Sequence, residues 1–167
     1  MRRRVIPKKK LFKIAFAFVV ITLLIVVVFL YSKQSNLDNG QEGMSKAEYG
    51  LIDGQFNLCP NKDNCRSSDD LRDKFHIEPI VDIEARLWEK IPVIMDSLPR
   101  VKIQELSEDY MHFTQSSALF RFVDDIEFHR RPESSEIAIR SASRLGYRDF
   151  GVNEERIEKI RSLLAEL

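Results

Sequence analysis

Hydropathy divides the chain into three lengths. Residues 14–31 form an uncharged run of 18 in which Thr22 is nearly the only polar member. At about 1.5 Å rise per residue this run predicts a helix of roughly 27 Å. That is close to the ~30 Å of a bilayer's hydrocarbon core, with Lys13 reaching out to cover the shortfall. Residues 32–57, SKQSNLDNGQEGMSKAEYGLIDGQFN, hold no sustained apolar period and read as a flexible linker. From Leu58 to Leu167 the apolar positions recur with two different periods, which predicts one folded domain of mixed type.

The first period is helical. Ile83, Leu87, Ile91, Ile94, Met95 and Leu98 are spaced for one helix face over residues 82–98, with Asp82 as N-cap, Pro92 as a kink or break, and Trp88 as a packing residue. Ile157, Ile160, Leu164 and Leu167 make a second stripe, capped by Asn153, with Glu154 and Glu155 at the favourable N-terminal end. Between them the period is two. Val101–Leu106, Tyr110–Ser116, Leu119–His129 and Glu136–Ser143 read as antiparallel strands, with Phe120, Phe122, Ile126 and Phe128 on one face of the third. The expected domain is therefore α+β, a four-stranded antiparallel sheet flanked by two helices. Centring the last hairpin between Pro132 and Glu133 sets Phe128 against Ile137, Ile126 against Ile139, Asp124 against Ser141 and Asp125 against Arg140. A slip by one residue would turn one strand inside out; a slip by two keeps the faces and stays open.

Charge adds a direction to this picture. The 167 residues carry 26 Lys/Arg and 26 Asp/Glu. Seven of the basic residues precede residue 14 with no acid among them, so the remainder keeps 19 against 26, about −7. The apolar run is longer than the about 7–15 residues of a signal-peptide core, and no Ala-x-Ala site follows it. The expectation is a membrane protein with one transmembrane helix: residues 1–13 a basic cytoplasmic tail, 14–31 the span, 32–57 the linker, and 58–167 an extracytoplasmic domain, periplasmic in a Gram-negative cell. The acidic domain argues against a nucleic-acid partner.

Two cysteines, Cys59 and Cys65, enclose a short loop that an oxidising compartment would close as a disulfide. The chain-entropy model gives about 2.4 kcal/mol for a loop of this length. Free thiols, a metal ligand pair and a Cys-His nucleophile are the alternatives. His76, His112 and His129 show no metal-ligand spacing, and no cofactor is expected.

The chemistry-bearing residues crowd into the last third. Asp124 lies on an apolar strand face, and a buried carboxylate demands a partner. An arginine, a hydrogen bond from Ser141, or a bulge at Asp124-Asp125 would each answer that demand. Asp124, Asp125, Arg140, Ser141, Arg144, Asp149, Asn153 and Arg156 together read as a charged seam joining the last hairpin to the last helix. A second reading makes Arg140 and Arg144 a clamp for a small anionic ligand, with Tyr147 beside them. A third makes Asp124 or Asp125 an acid/base group beside Arg140 and Arg144 in a hydrolase-like enzyme. Asp149-Phe150-Gly151 is not a kinase signal, because the Gly-rich loop and catalytic-loop motifs are absent.

Three stretches, CPNKDNCRSS, FVDDIEF and IRSASRLGYRDFGVNEERIEKIRSLL, resemble the domain-of-unknown-function family numbered 1499 over roughly Asn57–Leu167. Arg66 departs from the apolar residue more common in that family after the second cysteine. The family has no established activity. Its members occur in bacteria and plastid-bearing organisms, and many are exported or membrane-attached. The resemblance thus implies a domain boundary and leaves function open. The expected role is a non-catalytic binding or accessory module of the cell envelope, with an envelope protein or small anion as partner.

Overall fold

The computed structural model describes residues 19–27 and 49–166. The chain falls into two compact units, residues 1–43 and 44–167. In the first, the described residues are one helix, α1, at 19–27. Nine residues at about 1.5 Å each make less than half of a ~30 Å hydrocarbon core. Among the described residues no helix is long and apolar enough to cross a membrane. This overturns the expected transmembrane helix at 14–31, and with it the single-pass localisation and the topology built on it. Residues 14–18 and 28–31 of that run, and the basic tail at 1–13, lie outside the described residues.

The second unit is α+β, with more strands than the sequence pattern suggests. A hairpin of β1 (Leu51–Ile52) and β2 (Gln55–Phe56) forms a two-stranded sheet. A six-stranded antiparallel sheet follows, built from β3 (Cys65–Ser67), β4 (Ile80–Val81), β5 (Val101–Leu106), β6 (Tyr110–Ser116), β7 (Val123–Arg131) and β8 (Glu136–Ser143). β5, β6, β7 and β8 lie side by side, and β3 and β4 share the outer edge of β8. The expected four-stranded sheet is therefore corrected to six strands plus a hairpin. Two- and three-residue strands are too short to display an alternation.

The hairpin did have a signal. Asp53-Gly54 occupies its two-residue turn with both residues at positive φ, 50° and 76°, the conformation that matches the twist of the flanking strands. It sits in the polar stretch read as linker.

The helical stretch at 82–98 is broken where Pro92 requires it. A 3₁₀ turn, Trp88–Lys90, leads into α2 (Ile91–Ser97), with Pro92 in the first turn, where its missing N–H costs no bond. Asp82 follows β4 rather than capping a helix directly: its Oδ1 accepts the N–H groups of Arg86 and Leu87 at 2.9 and 3.1 Å. The closing helix, α3, is Val152–Ala165. α2 and α3 pack over one face of the sheet, and Ile91, Met95, Phe113, Ile126, Phe128, Ile137, Ile139, Ile157 and Ile160 are fully enclosed there. Burying each such side chain contributes about 1.5–3 kcal/mol.

Two strand expectations are revised. β7 starts at Val123, not Leu119, because Arg121 adopts φ 53° and ends the extended run. Phe120 and Phe122 consequently leave the core and lie at the surface. The β7–β8 register is the one two residues along: Phe128 faces Ile139, Ile126 faces Ser141, Asp124 faces Ser143 and Asp125 faces Ala142. The 3₁₀ turn Pro132–Ser134 sets it, closing the hairpin with Arg131 opposite Glu136.

Candidate functional site

Successive residues of a strand point to opposite sides of its sheet, so Asp124 and Asp125 part company. Asp124 joins the helix side and is enclosed. Arg156 of α3 donates to its Oδ2 through Nη2. The same guanidinium donates to Gln115 Oε1 at 2.6 Å, Ser141 Oγ at 2.8 Å and Asn153 Oδ1 at 2.5 Å. Ser141 Oγ in turn donates to Asn153 Oδ1 at 2.7 Å. Asn153 is therefore a buried linker and not the cap of α3. The N-cap is Gly151, and two residues before it the Asp149 carboxylate accepts Gly151 N and Asn153 N, each at 3.0 Å.

Asp125 joins the other side, where the β1–β2 hairpin and its approach from Tyr49 cover a charged layer. His112 Nε2 donates to Asp125 Oδ1 at 2.7 Å, and Arg144 grips both carboxylate oxygens at 2.9 Å. Burial by itself raises the Asp125 carboxyl; the hydrogen bonds from His112 and Arg144 outweigh it and hold the group below the usual carboxylate range. The Arg144 guanidinium is held above its ordinary value by the same bond.

Two residues along, the fully enclosed Glu127 accepts from Arg140 Nη1 at 2.5 Å, Tyr110 Oη at 2.8 Å and Gly50 N at 2.6 Å. Burial first, and the neighbouring Glu127 carboxylate second, push the Tyr110 phenol far up, so it remains a donor. Tyr49 stacks on His112 with ring centres 4.6 Å apart. Two carboxylates and two guanidiniums make this layer neutral when His112 is neutral. Among the described residues no serine, threonine or cysteine side chain bonds to His112, and Arg140 Nε is buried without a hydrogen-bond partner.

A third region is the end of the sheet where β6 turns into β7 and β8 runs into α3. Its loops are residues 117–122 and 144–151. Ser116 pairs with Val123, and Arg144 N donates to Val123 O at 3.0 Å, which places the two loops at one end. Leu119, Tyr147 and Phe150 are 79, 64 and 91% exposed there. Three of the described non-glycine residues with positive φ lie at this end: Arg100 at 60°, Arg121 at 53° and Phe150 at 58°. For bulky side chains this backbone region is disfavoured. The hollows around Asp82, about 230 and 110 Å³, lie at the opposite end and include none of Asp125, Glu127, Arg140 or Arg144.

A family model described as "Protein of unknown function" matches residues 55–164. The chain belongs to the DUF1499 family. No curated protein and no solved structure matches it.

Within this DUF1499 domain the eight residues of the expected seam form two groups rather than one. Asp124, Ser141, Asp149, Asn153 and Arg156 meet beside α3; Asp125, Arg140 and Arg144 meet under the hairpin. Asp124 and Asp125, considered together as an acid/base pair, face opposite sides of the sheet. Arg140 and Arg144, considered as an anion clamp, each hold a carboxylate of this chain, and Tyr147 stands apart at the loop end. Cys59 and Cys65 form a disulfide. Among the described residues no group of three or more His, Cys, Asp or Glu is placed to hold a metal.

Sequence reasoning passed over Glu127, His112, Tyr110, Gln115 and Asn64. The first three were legible in principle. Each sits on the polar side of an alternating strand, and the polar side of a covered sheet is as buried as the apolar one. Gln115 and Asn64 act through contacts made across the fold, and no local pattern marks them.

Proposed function

We propose that this DUF1499 domain is a non-catalytic binding module that docks a protein partner through the loop end of its sheet. Phe150 carries the proposal. An aromatic residue held in left-handed backbone costs about 1–3 kcal/mol, and a side chain 91% exposed recovers little of it by packing. Strain of this kind persists where the surroundings enforce it, and an exposed aromatic beside Leu119 and Tyr147 is the composition of a docking centre. The rim carries charges of both signs, with Arg100 and Arg148 at this end beside Asp63 and Glu154. The complementary surface is an apolar pocket with a mixed polar rim.

Two photo-crosslinking residues test this reading in cells that make the full chain: one at position 150, and one at Ile83, which is comparably exposed at the opposite end. A discrete adduct from 150, absent from 83, supports it. The same diffuse background from both positions rules it out.

A further inference from the structure

The Cys59–Cys65 loop lies directly against the docking loop, and its backbone holds the middle of that loop. Asp63 N donates to Tyr147 O at 2.8 Å, and Asp149 N donates to Asp63 O at 3.1 Å, while Asp63 and Arg148 pair as an isolated bridge. Asn64 does more. Its Nδ2 donates to Gly146 O at 2.9 Å and Ser143 O at 3.3 Å. Its main-chain carbonyl accepts Ser143 N and Asn153 Nδ2, both at 2.9 Å. One residue past the bridge, Arg66 Nε reaches Glu154 in the first turn of α3 at 3.1 Å. Segment 144–151 contains three residues at positive φ, Gly146, Phe150 and Gly151, so it has little regular structure of its own to fall back on.

We propose that the disulfide is the switch that completes the docking surface: closing Cys59 to Cys65 fixes residues 60–64 as a template, and the template fixes Tyr147 and Phe150 in their exposed positions. The proposal rests on the reading of the loop end as a docking surface. The chemistry is thiol–disulfide exchange with an external disulfide oxidant. One cysteine thiolate attacks the oxidant to give a mixed disulfide, and the second attacks the first cysteine's sulfur. Two protons are released from the chain's thiols, and the oxidant leaves as a dithiol carrying the two electrons. Both cysteines are enclosed once the loop is closed, so reversal by a dithiol reductant requires the loop to open first. The closed form is thus kinetically retained.

The bridge also has contacts away from the docking loop, which hold the template at its base. Cys59 N donates to Asp70 at 3.0 Å, and Arg72 Nη2 donates to Cys59 O at 2.6 Å. These do not need the bridge and keep Cys59 near its place when it is open. The expected effect of opening is therefore local.

Amide hydrogen exchange on the full chain tests the proposal without any partner. Oxidised wild type is compared with the Cys59→Ser/Cys65→Ser variant and with Asn64→Ala, which keeps the bridge and removes the template's side-chain donors. Exchange of the Ser143 and Asp149 amides, which donate to Asn64 O and Asp63 O, should rise at least tenfold in both variants, while the amides of β6 and β7 keep their protection. Unchanged protection of these two amides in either variant overturns the proposal. So does loss of protection throughout the sheet in Asn64→Ala, because the contact would then support the whole fold. Crosslinking from position 150 is read separately in the same variants. If exchange rises while the oxidised protein gives no discrete adduct, the template stands and the docking reading fails.

Discussion

The interior of this domain and its loop end treat charge and apolar surface in opposite ways. Inside, Asp124, Asp125, Glu127, Arg140 and Arg156 are all enclosed, and each meets a partner of opposite sign. At the loop end, Leu119, Tyr147 and Phe150 stand in solvent. The usual partition would put the aromatics inside and the ions out. Buried ion pairs gain little net stability over apolar side chains of the same volume, but removing one partner is severe, because the other charge is left stranded. Exposed aromatics have the reverse character: nothing in the fold depends on them. The difference separates the residues that hold this structure from those available for recognition.

The largest effect is expected beside α3. Arg156→Ala strands the Asp124 carboxylate and leaves Gln115, Ser141 and Asn153 short of a donor. Urea unfolding should show a loss of about 3–5 kcal/mol. The double variant Asp124→Leu/Arg156→Met should recover much of it. A loss under about 1 kcal/mol for Arg156→Ala would place that network among groups that solvent can satisfy.

A smaller effect belongs to the layer under the hairpin. Tyr110→Phe removes one charge-assisted hydrogen bond to Glu127, which keeps Arg140 and Gly50 N. The expected loss is about 1.5–3 kcal/mol by the same measurement. No change would mean that Arg140 and Gly50 N hold the carboxylate without the phenol.

The pH dependence concerns Asp125. Its folded carboxyl lies below the ordinary value, so the unfolded chain binds the proton first as pH falls. Its contribution is fully present above the unfolded value of about 3.9 and is lost as pH drops through the folded value. Wild type should therefore exceed Asp125→Asn in stability by the most near neutrality. The gap should narrow once pH passes below about 4, as read from urea midpoints across the range. A gap that stays constant would show that the Asp125 charge is not what Arg144 and His112 stabilise.

Much of the fold was legible in the chain. β5, β6 and β8 follow the alternating stretches residue for residue, and Pro92 broke its helix. What escaped has physical reasons. Phe120 and Phe122 match the strand period, yet the turn at Arg121 sends them outward, and a backbone angle leaves no trace in hydropathy. The apolar run at 14–31 satisfies a membrane criterion by composition, while the described helix occupies 19–27. The candidate site was half legible. The need of Asp124 for a partner could be read, but its partner Arg156 lies 32 residues away, and only the packing of α3 on the sheet brings it there.

The most direct test sets the two regions side by side in one urea series on the full chain, Arg140→Met against Phe150→Ser. The first leaves Glu127 enclosed and short of its cation, and the second changes a side chain in solvent. The expected losses are about 3 kcal/mol or more for Arg140→Met and within about 0.5 kcal/mol for Phe150→Ser. Equal losses, or the greater loss at Phe150, would contradict the division between a charged interior that holds the fold and an aromatic end that meets a partner.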